Sequence, residues 1–146
     1  MAYLIHSVLP MPRRSIVFIN PNFSVVDCIN LMALRDIGAL VVKEGDTLIG
    51  MVTERDIIRS CFALHLNQQE TTAGDIACKN VSILDVNDSV EKAMETMTAT
   101  KRRHILIEEN KKLVAILSIG DILFHLLDDK ARIIEHLENY IYSKAG

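Results

Sequence analysis

Asn22-Phe23-Ser24-Val25 and Asn87-Asp88-Ser89-Val90 are one phrase written twice, 65 residues apart (89 − 24 = 65). The same offset pairs Met32 with Met97, Leu48 with Leu113, and Asp56-Ile57 with Asp121-Ile122. No gap is needed to lay Ile16–Arg59 on Val81–Phe124. Apolar character repeats even where identity does not, as Leu40-Val41-Val42 returns as Ile105-Leu106-Ile107. A repeat of this length means that one supersecondary unit has been used twice, and that decides the fold before any single element does.

Each copy opens with a short apolar run (Ile16–Ile19; Ile83-Leu84) that predicts a strand, followed by a Ser at an N-cap position (Ser24; Ser89). Glu91 then suits the positive end of the second helix. Val25, Ile29 and Met32, and in the second copy Val90, Met94 and Met97, recur at intervals of three and four, which predicts one-faced helices. Next come two apolar runs joined by a polar turn, Ala39–Val42 with Leu48–Val52 and Ile105–Ile107 with Leu113–Leu117, the pattern of a hairpin. The closing helices start at Thr53 and Ser118, each with an Asp three residues later as a capping-box-like partner. The unit reads βαββα. A single copy of roughly 60 residues is marginal alone, so the expected fold is α/β (α+β): two tandem units packed sheet to sheet with pseudo-twofold symmetry, plus a C-terminal helix. The expected division is 1–65 for the first repeat with its N-terminal segment and 66–146 for the second with its C-terminal helix.

Composition narrows the function. The chain has 146 residues, 49% of them apolar, and a net charge of −3, enough for a real core and no basic stripe for nucleic acid. Cys28, Cys61 and Cys78 stand far apart in odd number, which predicts reduced, buried thiols in a cytoplasm. Met1–Pro12 lacks a basic start and is broken by Pro10 and Pro12, so no signal peptide is expected, and no run approaches the length of a membrane span. No two His stand at metal-ligand spacing and no Cys joins them, so no metal site is expected. There is no Gly-x-Ser-x-Gly, P-loop or Gly-rich dinucleotide turn; no catalytic residues are assigned and no enzyme is expected.

The phrases Ile37-Gly38-Ala39-Leu40-Val41-Val42, Gly50-Met51-Val52-Thr53-Glu54-Arg55-Asp56, Arg103-His104-Ile105-Leu106-Ile107 and Leu117-Ser118-Ile119-Gly120-Asp121-Ile122 resemble the stand-alone two-CBS-domain proteins of bacteria and archaea. The likeness runs over about nine tenths of the chain, with the paired Thr/Ser-x-x-Asp motifs in register. It departs from the family pattern at Leu106 for a usual Pro, Ala115 for the Gly matched by Gly50, and Ala77 where Met is frequent; these departures bear on ligand identity more than on fold. The resemblance implies adenosine-containing ligands in clefts between the repeats, with Thr53 and Asp56 in one cleft and Ser118 and Asp121 in the other. A first-turn carboxylate can accept both ribose hydroxyl protons, while the hydroxyl and free N–H groups face phosphate. Only the second copy brings local cations, Arg102, Arg103 and His104, so the Asp121 cleft is the better site, with Gly38 and Val17 of the other copy bordering adenine. The implied ligand is AMP or ATP, regulatory rather than a required cofactor. It would act by linkage on a separate effector protein.

Plainer roles compete. Asp56 and Asp121 also suit simple capping, and Lys101-Arg102-Arg103 a solvated helix end. Arg13 and Arg14 read as surface residues, and His104 as a half-buried His. His6, His65, His125 and His136 read as surface or packing residues. Arg132–Ile141 places Ile133, Ile134, Leu137, Tyr140 and Ile141 on one stripe that folds back on its own domain or, as favoured, packs on a second subunit in a homodimer. The rival function is a ligand-free structural or protein-interaction scaffold.

Overall fold

The structure is a computed structural model that describes residues 3–10 and 14–145, with side chains to 141; Arg13 lies outside the described residues. It divides into two compact units, Ser15–Ser82 and Met1–Arg14 with Ile83–Gly146.

Ser15–Ser82 contains β1 (Phe18–Ile19), α2 (Val25–Arg35), β2 (Ala39–Glu44), β3 (Thr47–Thr53), α3 (Glu54–Ile57), a π-helical turn (Ile58–Phe62) and α4 (Ala73–Ile76). The other unit contains α1 (Ile5–Val8), β4 (Ile83–Asp85), α5 (Val90–Thr100), β5 (His104–Glu109), β6 (Lys112–Ser118) and α6 (Ile119–Ala145). Each unit has a three-stranded sheet, β1-β2-β3 or β4-β5-β6, whose first pair is parallel and whose second is antiparallel. The repeat holds in detail. Register shifts fall at Val42/Lys43 and Ile107/Glu108, and α2 and α5 both end on a left-handed residue, Asp36 (φ 52°) and Lys101 (φ 56°), at the same offset. Ser24 and Ser89 cap the two helices by accepting from the Asp27 and Lys92 amides.

Three features differ from the sequence expectation. The first strand is shorter than Ile16–Ile19, although the Val17 carbonyl still accepts from the Val41 amide. The closing helix of the second copy and the C-terminal helix are one helix of 27 residues, because neither Gly nor Pro interrupts it after Gly120. The division also differs from 1–65 and 66–146, for a packing reason. Ile5, Val8 and Leu9 are buried in one core with Leu84, Ile105, Ile107, Leu117 and Ile122, whereas Ala73 and Ile76 are buried with Val25, Leu40, Val42 and Val52. Matching bonds hold both short helices. Ile5 and Ala73 donate to the Asp88 and Phe23 carbonyls, and Val90 and Val25 donate to the Tyr3 and Thr71 carbonyls. The Tyr3 hydroxyl also donates to Asp129 and its ring meets His125 edge-on, so His125 is a packing residue.

Cys28 and Cys61 are buried and Cys78 is half-buried, all as free thiols. Burial, with Asp27 beside it, pushes the Cys28 thiol up to about 11, which leaves almost no thiolate at neutral pH. A thiol-reactive dye at pH 7.5 is therefore expected to modify Cys78 in the native protein and to reach Cys28 and Cys61 only on unfolding. Rapid native labelling of Cys28, read by mass spectrometry, contradicts this packing.

Candidate functional site

The last residue of β3 and of β6 is also the N-cap of the helix that follows, so a hydroxyl and a carboxylate three residues on are drawn together at a helix start. In the first copy the Thr53 amide and hydroxyl both donate to Asp56 Oδ2 at 2.9 Å, and the Asp56 amide donates to Thr53 Oγ1 at 3.3 Å. Thr53 is 7% and Asp56 5% exposed, so this pair is buried and already engaged with itself, the geometry of a structural capping box.

In the second copy the Ser118 amide donates to Asp121 Oδ2 at 3.0 Å and the Asp121 amide to Ser118 Oγ at 3.1 Å. Here the pair is half-buried, and Oδ1 carries a salt bridge from Arg14 Nη2 at 3.2 Å. Arg14, expected only at the surface, is thus an ion-pair partner of Asp121 whose outer atoms stay in water (67% exposed). No local pattern could join residues 107 apart.

The approach to each helix is built alike and lined differently. The Gly38 carbonyl accepts from the Glu54 amide, and the Arg103 carbonyl accepts from the Ile119 amide. Position for position, the second copy has an exposed Arg where the first has Gly, and an apolar Ile where the first has Glu. His104 is the sheet partner of Ser118, and the half-buried Arg102 is fixed by its amide, which donates to the Met97 carbonyl. The structure therefore gathers Ser118, Asp121, Arg103, His104 and Arg14 around the first turn of α6.

Gly38 has a different neighbourhood. The Glu54 carboxyl carbon would lie 3.4 Å from a Cβ added there. Both residues line a cavity of about 520 Å³ within Ser15–Ser82, with Ile29, Met32, Ile57 and Phe62 as apolar walls and Asp36 as a second acid. That lining offers no cation to a phosphate. Val17 packs against the core of the same unit. No group of three His, Cys, Asp or Glu suited to a metal occurs among the described residues, and no described helix is long and apolar enough to cross a membrane.

Comparison with known proteins fits this duplicated frame. The model of the CBS domain matches residues 7–62 and again 73–128. The mitochondrial CBS domain-containing protein CBSX3 of Arabidopsis thaliana is 30% identical over 123 residues, 81% of this chain and 60% of that protein, so the matched stretch falls short of two thirds of that relative. Hypoxic response protein 1 of Mycobacterium tuberculosis is 33% identical over 96 residues, 65% of this chain and 67% of that one. Its solved structure, with two coordinated zinc ions, superposes at TM-score 0.68 and 25% identity over 84% of this chain and 98% of that one. A CBS-domain protein of Burkholderia ambifaria, described as a candidate signal-transduction protein, superposes at TM-score 0.80 and 32% identity over 88% of this chain and 96% of that one. With two family matches that together span most of its length, the chain belongs to the CBS-domain family as a tandem pair.

Proposed function

We propose that this chain is a regulatory module that binds an adenosine nucleotide, AMP or ATP in preference, and reports its occupancy to a separate effector protein. It works in the cytoplasm as a homodimer and catalyses no reaction. The observation that carries the reading is the first turn of α6, where a half-buried carboxylate and hydroxyl stand beside Arg14 and Arg103. Asp121 takes the ribose hydroxyls, Ser118 and the N-terminal amides of α6 face phosphate, and Arg102, Arg103 and His104 supply its counter-charge. A ribose hydroxyl on Asp121 Oδ1 takes the place of the Arg14 guanidinium, whose exposed end then turns to the phosphates.

Thr53 and Asp56 are the weaker half of the proposed set, since their polar atoms are buried in their own capping box and the acids Glu54 and Asp36 lie nearby. The same self-satisfied capping favours a second reading, a scaffold that binds protein and no nucleotide.

Calorimetric titration with AMP, ATP, NADH and S-adenosylmethionine separates the two. Saturable binding is expected for AMP or ATP, weakened by about 1.5–3 kcal/mol, roughly ten- to a hundred-fold, in Asp121→Ala and little changed in Asp56→Ala. Circular dichroism checks that each variant folds. Silence from all four ligands favours the scaffold, and equal affinity in folded Asp121→Ala removes the site assignment.

A further inference from the structure

Asp121 is a carboxylate with both oxygens engaged by the chain itself. Oδ2 accepts from the Ser118 amide at 3.0 Å, Oδ1 accepts from Arg14 Nη2 at 3.2 Å, and the side chain is 12% exposed. The guanidinium on Oδ1 is 67% exposed and bonds end-on, one nitrogen to one oxygen, rather than by the two parallel bonds that its planar fork can make.

Resting on the nucleotide site proposed above, we propose that Arg14 is an internal competitor for Asp121 and makes that site select adenosine bearing a phosphate over adenosine itself.

A ribose hydroxyl reaches Oδ1 by exchanging with the guanidinium. For a neutral nucleoside the exchange replaces an ion pair by a bond to an uncharged hydroxyl and leaves Arg14 with water alone. A nucleotide returns what it takes, because its phosphate offers the released guanidinium two oxygens in the fork geometry that the end-on contact with Asp121 leaves unused. Releasing Arg14 is itself inexpensive, since a guanidinium exposed to this degree keeps most of its hydration in the pair. The exchange is thus unfavourable without a phosphate and favourable with one. The Ser118 bonds to Asp121 stay in place throughout, so the first turn of α6 keeps its cap whichever group holds Oδ1.

Calorimetric titration of the full chain with adenosine and AMP, a pair that differs by the phosphate alone, tests the competition. The wild type is expected to bind AMP about tenfold or more tightly than adenosine. Arg14→Ala should move the two ligands in opposite directions. Adenosine tightens about two- to fivefold as the competitor for Oδ1 is lost, and AMP weakens about tenfold as a phosphate contact is lost. Arg14→Lys, which keeps the charge without the fork, should fall between wild type and Arg14→Ala for both ligands. Circular dichroism checks that each variant folds. A shift of both ligands in the same direction makes Arg14 structural, and weaker AMP with unchanged adenosine makes it a phosphate contact alone; either result overturns the competition and leaves the nucleotide site standing. A wild type that does not bind AMP, or AMP binding that persists undiminished in folded Asp121→Ala, overturns the site and the competition together.

Discussion

Gly50→Ala is expected to destabilise the unit Ser15–Ser82 by about 3 kcal/mol or more, although it adds one methyl group. A Cβ on Gly50 would stand 2.3 Å from the carbonyl oxygen of Cys78 and 3.0 Å from its carbonyl carbon. Both obstacles are backbone, so no change of rotamer gives relief. Cys78 is also pinned, since its amide donates to the Met51 carbonyl at 2.9 Å and its carbonyl accepts from the Met51 amide at 3.0 Å. Room for the methyl group requires this two-bond bridge to be released at a buried strand, leaving polar groups of Met51 unsatisfied. The reverse change at the matching position, Ala115→Gly, should cost only about 1–2 kcal/mol, from one lost buried methyl and the looser backbone. Urea unfolding of the two variants beside the wild type checks the pair. A Gly50→Ala protein within about 0.5 kcal/mol of wild type would refute the steric argument.

That asymmetry shows what the sequence could convey. The offset of 65 carried strands, helices, hairpins and even the matching register shifts, because these follow from local apolar pattern and turn residues. The Gly-to-Ala departure at residue 115 was visible, but its cause is a neighbour distant in sequence. The short helices are related by an offset of 68 (73 − 5), which sets Pro10 opposite Cys78, and proline has no N–H with which to make the same bridge. Gly50 thus answers to a backbone neighbour at the edge of its sheet.

Other features divide in the same way. The capping box Thr72-x-x-Asp75 of α4 and the unbroken run of α6 past Gly120 both went beyond the sequence expectation, although the residues that cause them are local. The Thr53 and Ser118 motifs were legible as helix starts. Their unequal burial was not, because it depends on what packs over them. Arg14 could be found only by folding the chain, since its bond to Asp121 joins the N-terminal segment to the second copy. The same holds for α1, whose four residues are too few to show a period and whose destination is a core formed more than 75 residues later.

The second large effect follows from that destination. Ile5→Ala is expected to cost about 2–5 kcal/mol, because Ile5 is 0% exposed in a core where the loss of three carbons leaves a cavity. The position of Ile5 in the chain assigns it to the first repeat, while its packing assigns it to the second. Hydrogen exchange read by mass spectrometry separates these assignments, since it reports where protection is lost as well as how much. Faster exchange is expected across β4, α5, β5 and β6, with Ser15–Ser82 little changed. Ile76→Ala, at 4% exposure in the other core, should give the mirror result, with faster exchange across α2, β2 and β3. If Ile5→Ala instead loosened Ser15–Ser82 and spared Ile83–Ile122, the N-terminal segment would belong to the first repeat after all. A division at residues 65 and 66 would then describe the protein better than the exchange of short helices. Protection lost in the second copy alone would show that each copy is completed by the helix that precedes the other, and that truncation at residue 14 removes part of the second repeat's core.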